Sequence, residues 1–298
     1  MNIVITGVSG FVGQNLSNYL VECNCNPSRL SLRNDWKLPN SSDAIIHLAG
    51  KAHDTANTSA DEEYFKINTE LTKKLFNEFL LSDIRDFIYF SSVKAAADTV
   101  EGILDEDHFS DPKTPYGKSK LYAEQYLLSK ELQSGKRLFI IRPCMIHGPG
   151  NKGNLNLLYK IVEKGIPWPL ASFQNHRSFL SIDNLNFLIL QILKNKNIDS
   201  GIYNFADDDF ISTNQLVEII SKASGKKGRL WNIPAGIISF TAKMGDKIKL
   251  PLNSERLKKL TESYAVSNKK IKSALKITGL PVSAEEGLIK TIKSFQAK

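Results

Sequence analysis

Apolar positions along the chain alternate between two textures. Ile3-Val4-Ile5 is a short β-branched run ending at Thr6-Gly7, the pattern of a strand buried on both faces. Phe11, Val12, Leu16, Tyr19 and Leu20 then recur at helical spacing, which predicts a helix from Phe11 to Cys23 that Asn24 and Pro27 break. Further strands are predicted at Leu30-Ser31-Leu32, over Ala44 to Leu48, over Phe87 to Phe90 and over Leu138 to Ile141. Between them lie predicted helices over Tyr64 to Leu81 and Tyr116 to Leu132. Strands that alternate with helices in this way predict an α/β fold with a doubly wound parallel sheet.

Beyond Pro143 the pattern loosens. Gly148, Pro149, Gly150, Gly153, Pro167 and Pro169 mark loops and a less regular lobe. Phe187 to Leu193 is the richest apolar stretch and reads as a core helix, far short of the roughly 20 residues a bilayer span needs. Ile202 to Phe205 reads as one more sheet strand, and Thr213 to Ala223 as a helix with Ser212 at its N-cap.

Composition adds limits. The 298 residues are enough for one large domain or for a main domain with a smaller lobe, and 42% hydrophobic with 23% charged residues is ordinary for a globular chain. Met1 runs straight into apolar residues with no basic flank and no cleavage site, so the expected location is the cytoplasm, with no integral membrane segment. Cys23, Cys25 and Cys144 form neither a disulfide framework nor a zinc pattern, and no metal site is expected. The net charge of +8 raises nucleic acid as a partner, but no basic stripe interleaved with aromatics is visible, so none is expected.

Two motifs carry chemistry. Gly7-Val8-Ser9-Gly10-Phe11-Val12-Gly13 sets glycines at every third position between the first strand and the first helix. Such a turn lets backbone N–H groups and a helix N-terminus meet a pyrophosphate without Cβ clashes, which points to a dinucleotide. About 20 residues past such a motif a side chain usually meets the adenosine ribose. Arg33 stands there, which suits a 2′-phosphate and favours NADP; Asp35 two residues on leaves NAD open. The second motif is Tyr116-Gly117-Lys118-Ser119-Lys120, whose Tyr and Lys share one helix face. A nearby ammonium lowers a phenol pKa toward acid–base use, and Ser92 at a predicted strand end offers a hydroxyl to a substrate carbonyl.

With those residues in view, the chain resembles the extended short-chain dehydrogenase/reductase family of nucleotide-sugar enzymes over nearly its whole length. The likeness rests on the glycine turn, His47-Leu48-Ala49-Gly50, Asn68, Ser92, Pro115-Tyr116-Gly117-Lys118-Ser119-Lys120, Arg142-Pro143, His147-Gly148-Pro149-Gly150 and Arg177-Ser178-Phe179. It implies a Rossmann-type NAD(P)-binding domain over 1–147, with a return segment at about 178–210. A smaller substrate-binding lobe would then comprise 148–177 and 211–298. It also implies Ser92, Tyr116 and Lys120 as catalytic residues. The cofactor would be held by Gly7, Ser9, Gly10, Phe11, Val12, Gly13, Leu48, Ala49, Gly50, Asn68, Tyr116, Lys120 and Pro143, together with Arg33. A UDP-sugar would lie against Ser92, Met145, Asn154 and Arg177, and the chain would pair as a homodimer through the helices near Tyr64–Leu81 and Tyr116–Leu132.

Departures from the family pattern narrow the expected reaction. The stretch from Arg33 to Ala44 is too short for the usual extra strand–helix unit, so the adenine side of the sheet should be trimmed. Met145 stands where many relatives place a sugar-binding Asn, and His147 where a Tyr is usual; His147 and His53 are read as structural or ambiguous. Dehydratases of the family place Asp-Glu directly after the hydroxyl residue, where this chain has Val93-Lys94, and no Cys or His stands beside the serine as C3/C5 epimerisation needs. C4 reduction and C4 epimerisation remain. Ser91-Ser92-Val93-Lys94 and Gly165-Ile166-Pro167-Trp168-Pro169-Leu170 are similar to bacterial UDP-2-acetamido-2,6-dideoxy-4-keto-hexose reductases of surface-polysaccharide pathways. The expected reaction is therefore NADPH-dependent C4-keto reduction. A UDP-hexose 4-epimerase with tightly held NAD is the alternative, and a non-catalytic NAD(P)-binding regulator a minor one.

Overall fold

A computed structural model describes residues 1–39, 41–51, 60–151, 154–248 and 253–296. Six parallel strands form its central sheet: β1 (Asn2–Thr6), β2 (Asn26–Leu30), β3 (Ala44–His47), β4 (Asp86–Phe90), β6 (Arg137–Pro143) and β9 (Gly201–Phe205), in the order β2-β1-β3-β4-β6-β9. Among the described residues five short strands lie outside it, β5 (Ile103–Leu104), β7 (Met145–His147), β8 (Arg177–Ser181), β10 (Phe210–Ile211) and β11 (Ala265–Val266). The α/β doubly wound sheet expected from the alternation is thus present. Its middle strands read as unbroken apolar runs because both faces are covered: β3, β4 and β6 are buried at every position.

Helices cover the two faces. α1 (Phe11–Glu22) and α6 (Ile182–Lys194) pack together on one, burying Leu16, Leu20, Leu185, Leu188 and Ile189 with Ile3, Ile5 and Ile141. On the other, α2 (Asp61–Tyr64), α3 (Leu71–Leu81) and α4 (Pro115–Leu128) bring Leu75, Phe76, Phe79, Ala123 and Leu127 against Val4, Ile45 and Phe87. α2 and α3 are joined by a π-helical turn at Phe65–Glu70, which buries Asn68 and Thr69. One extra residue per turn is what a 3.6-residue pattern cannot forecast.

The first crossover differs from the expected strand at Leu30-Ser31-Leu32. β2 runs over Asn26–Leu30, so Leu30 ends the strand and Pro27 lies inside it, paired with Ile3. Proline is tolerated there because β2 is an edge strand. No helix separates β2 from β3 among the described residues, so the sheet is trimmed on that side as expected.

Most of the remaining elements gather around a second apolar cluster, while Val266, Ile271 and Leu275 pack into the core of the main sheet. β10, β8 and β7 form a small sheet, and α5 (Asn154–Glu163), α7 (Thr213–Ala223), α8 (Ala235–Ile248), α9 (Ser254–Thr261), α10 (Lys269–Leu275) and α11 (Ala284–Gln296) complete the chain. Tyr159, Trp168, Phe179, Val217, Ile220, Leu288 and Ile292 meet in that cluster. Ser212 caps α7 in a reciprocal box with Gln215. β11 pairs with β5, which stitches the C-terminal segment to the loop after β4. No helix among the described residues is long and apolar enough to cross a membrane.

Candidate active site

A cleft of about 340 Å³ opens where four sheet strands end. Gly7 follows β1, Leu48 and Gly50 follow β3, Ser91 and Ser92 follow β4, and Pro143 with Cys144 closes β6. Parallel strands necessarily present their C-terminal ends together, which is where sites in such sheets form.

The glycine turn is built on steric demands. Gly7 has φ of +73°, and a Cβ on it would come within 2.7 Å of Ala49 N. A Cβ on Gly13 would meet Gly7 O at 2.4 Å. Gly10 N donates to Gly7 O at 3.0 Å and caps α1 without a side chain, so the leading N–H groups of that helix are not satisfied by a cap. Gly7, Gly10, Phe11, Val12 and Gly13 all line the cleft. This donor set fits a dinucleotide pyrophosphate.

Lys120, Tyr116 and Ser92 line the opposite wall, with Lys51 beside them. Ser92 sits at the start of a short 3-10 turn, where its Oγ accepts from Lys94 N, and it is hydrogen-bonded to the Tyr116 hydroxyl. Thr114 caps α4 by accepting from Gly117 N, and Pro115 occupies the first turn. Asp98, on the loop after Ser92, accepts from Thr114 Oγ1 at 2.9 Å and from Lys113 N at 2.6 Å. The serine loop and the tyrosine helix are thereby held in one register. Tyr64 meets Tyr116 edge-on with ring centroids 6.1 Å apart.

The electrostatics differ from what the Tyr116/Lys120 spacing suggests. Burial raises the Tyr116 pKa, and the group that opposes this is Ser92, not Lys120. Lys120 Nζ instead donates to Phe90 O at 2.8 Å and lies 4.9 Å from the Tyr89 ring centre. Burial pulls the lysine pKa down to about 8, with Glu124 one turn further along α4 acting against the shift. A carbonyl at the end of β4 captures the ammonium, a partner that helix periodicity does not reveal.

Behind this wall lies a polar layer whose bonding no spacing along the chain reveals. Glu124 accepts from Ser91 Oγ and from Arg142 Nη2 at 2.5 Å. Asn68, on the π-helical turn, accepts from Lys51 N at 2.8 Å and donates to Lys51 O and Ser119 Oγ. Thr72 Oγ1 gives its proton to Asn68 O, so it accepts from His47 Nε2, and His47 Nδ1 accepts from Thr6 Oγ1. Thr6 Oγ1 in turn accepts from Ala49 N. The chain of bonds runs from the end of β1 to the helix that carries Tyr116, and burial lowers the His47 pKa to about 3.

Other expected positions fall outside the cleft wall. Ser9 and Arg33 are exposed, with Arg33 three residues beyond β2. Leu30 pairs with Thr6, so Arg33 leaves the sheet at the same end as the glycine turn. Ala49 and Asn68 support Gly7 and Gly50 from behind rather than lining the cleft. Met145 packs against the second apolar cluster. Arg177 Nη1 donates to Lys259 O at 3.3 Å, and burial lowers its pKa. Asn154 opens α5 and its side chain lies outside the described residues, as does all of His53. His147 is fully buried, with Nδ1 against Thr291 Oγ1 at 2.9 Å and Nε2 3.6 Å from Asp207, inside the fold rather than at the cleft. Val93 is in the core and Lys94 Nζ donates to Asp98 O, so neither position sets a carboxylate beside Ser92. The three cysteines are free thiols. Lys51, Phe90, Cys144 and Ile146 also line the cleft; each follows or lies close to the end of a strand, the one signal that marks them.

Known proteins share this architecture. The chain is 29% identical to a UDP-glucose 4-epimerase of Vibrio cholerae, over 99% of this chain and 95% of that one. A UDP-2-acetamido-2,6-beta-L-arabino-hexul-4-ose reductase of Pseudomonas aeruginosa is 32% identical over 52% of this chain and 38% of its own. The structure of RMD from Pseudomonas aeruginosa complexed with NADPH superposes with a TM-score of 0.74 at 19% identity, covering 100% of this chain and 99% of that one. Residues 23–206 match the NAD dependent epimerase/dehydratase family, and the chain belongs to that family of nucleotide-sugar epimerases and reductases.

Proposed function

We propose that the chain is an NADPH-dependent reductase that acts on the C4 ketone of a UDP-linked 4-keto-6-deoxy-N-acetylhexosamine in surface-polysaccharide synthesis. The observation that carries this reading is the state of Tyr116. Its side chain is half-buried in the cleft wall and bonded to Ser92, and desolvation raises its pKa, so at neutral pH it holds a proton ready for donation. Reduction of a ketone consumes that form at each turnover.

The glycine turn and the first amides of α1 are the groups that would hold the cofactor pyrophosphate, with Leu48, Gly50 and Pro143 around the rest of it. Arg33 is suited to a 2′-phosphate, being cationic and at the same sheet end. A nicotinamide ring bound in the cleft supplies the hydride. Ser92 orients the substrate carbonyl by donating to its oxygen, and Tyr116 gives its Oη proton to that oxygen as C4 is reduced. The phenolate left behind regains a proton from water, and Lys120 would hold the nicotinamide ribose. Arg177 and Asn154 would meet the diphosphate, and Met145 the sugar side. A homodimer through α3 and α4 belongs to the same reading.

The second reading is a UDP-hexose 4-epimerase that retains NAD, favoured by the end-to-end likeness to the Vibrio cholerae enzyme. The two are separated by mixing the protein with NADPH and the UDP-4-keto sugar and following the nicotinamide absorbance. Stoichiometric oxidation supports the reductase. Interconversion of UDP-glucose and UDP-galactose without added cofactor, and no oxidation of NADPH, overturns it.

A further inference from the structure

The charge of the chain is not spread evenly. Of 39 basic and 31 acidic residues, ten and two respectively lie between Lys222 and Leu260. The remaining 29 and 29 balance, so this segment carries the whole excess of +8.

The same segment exposes an apolar face. α8 buries Ile238 and Ala242 in the second cluster, while Ile237, Phe240 and Met244 remain 56%, 63% and 46% exposed. Spacings of three and four residues put these side chains on one stripe. Trp231, just ahead of the helix, is 55% exposed. Lys243 on the same helix, and Lys226, Lys227 and Arg229 on the segment that leads into it, are exposed to solvent. Asp246 accepts from Ser254 N and Ser254 Oγ, which ties the end of α8 to α9 and spends the one acidic side chain of the helix on its neighbour.

We infer that α8 docks the C-terminal lobe on an anionic phospholipid surface, with the apolar stripe at the boundary between head groups and acyl chains and the lysines at the head groups. Fourteen residues are too few to span a bilayer and suit a helix lying in its plane. A solvated face has no use for Ile, Phe and Met on one stripe, and Ile237 and Met244 offer a nucleic acid neither a charge for its phosphates nor an aromatic plane for its bases. A second copy of the chain is disfavoured by sign, because a two-fold contact would bring like-charged patches together. Lipid with negative head groups satisfies both the charge and the stripe.

The test is flotation of the full-length protein with vesicles of equimolar phosphatidylcholine and phosphatidylglycerol, against vesicles of phosphatidylcholine alone. The expected result is co-flotation with the anionic vesicles that high salt weakens. An Ile237→Glu/Phe240→Glu variant with an unchanged circular dichroism spectrum and melting point should bind about tenfold less. Lys226→Glu/Lys227→Glu, on an exposed loop outside the helix, should lose binding as well and stands as the check if the helix variant fails to fold. No binding of the native chain, or binding untouched by the loop variant, overturns the inference. So does binding to heparin without binding to vesicles, or a sedimenting mass that the helix variant halves.

Discussion

The Glu124 carboxylate and the Arg142 guanidinium meet at 2.5 Å with only 1% and 2% of their side chains exposed, directly behind the wall that carries Ser91 and Lys120. A pair this deep leaves a bare buried charge when one partner is removed, at a cost of about 3–5 kcal/mol. Glu124→Gln keeps the hydrogen-bonding shape while deleting the charge that supports the lysine. It should lower the melting point and move the alkaline limb of activity toward lower pH, as Lys120 loses its opposing anion. A stability loss with an unmoved limb would confine Glu124 to packing.

Lys120 is the group from which that limb is expected. Its pKa of about 8 means the ammonium is lost as pH rises through that value. If Tyr116 depends on that cation, log kcat/KM falls above pH 8, and Lys120→Arg, charged throughout, should flatten the fall while lowering the rate. A pH–rate profile of both proteins checks this.

His47 makes the opposite statement about acid. Its folded pKa of about 3 lies below the usual value of 6.5, so the unfolded chain binds a proton that the folded chain refuses. Stability is therefore intact above about pH 6.5 and declines as pH drops toward 3, by about 1.4 kcal/mol per pH unit from this group. Urea unfolding of the native chain and of His47→Gln at several pH values should show a smaller acid slope in the variant.

The glycine turn is tested by Gly13→Ala. The new Cβ would meet Gly7 O at 2.4 Å and Val8 Cα at 2.6 Å, both backbone and neither free to yield. A stability loss of about 1–3 kcal/mol is expected, with weakened nucleotide binding by fluorescence titration. Gly236→Ala, where a Cβ meets nothing within 4 Å, is the control and should leave both unchanged or raise stability slightly.

What the sequence discloses follows from the range of the forces. Buried parallel strands announce themselves as apolar runs, and the spacing of Gly7, Gly10 and Gly13 is a local steric code, so the sheet and the turn are legible. Pro27 misleads because its tolerance depends on β2 being an edge strand, a fact of topology. The π-helical turn is hidden because one extra residue leaves the apolar stripe nearly intact, yet it is what seats Asn68 under Lys51. Nothing along the chain pairs Glu124 with Arg142 until α4 is folded onto β6. Lys120 reads as a partner for Tyr116 by spacing, while its strongest bond is to the Phe90 carbonyl.

In the proposed reduction Tyr116 protonates a sugar oxygen while hydride is delivered to C4. This is tested most directly by supplying NADPH deuterated at the transferable position together with the UDP-4-keto sugar, and locating the label in the product for the native chain and for Tyr116→Phe. Label at C4 in a single configuration with the native chain, and a loss of about 10²-fold or more in rate with the variant, is the predicted result. Label that stays on the cofactor, or a variant that turns over at the native rate, would contradict it.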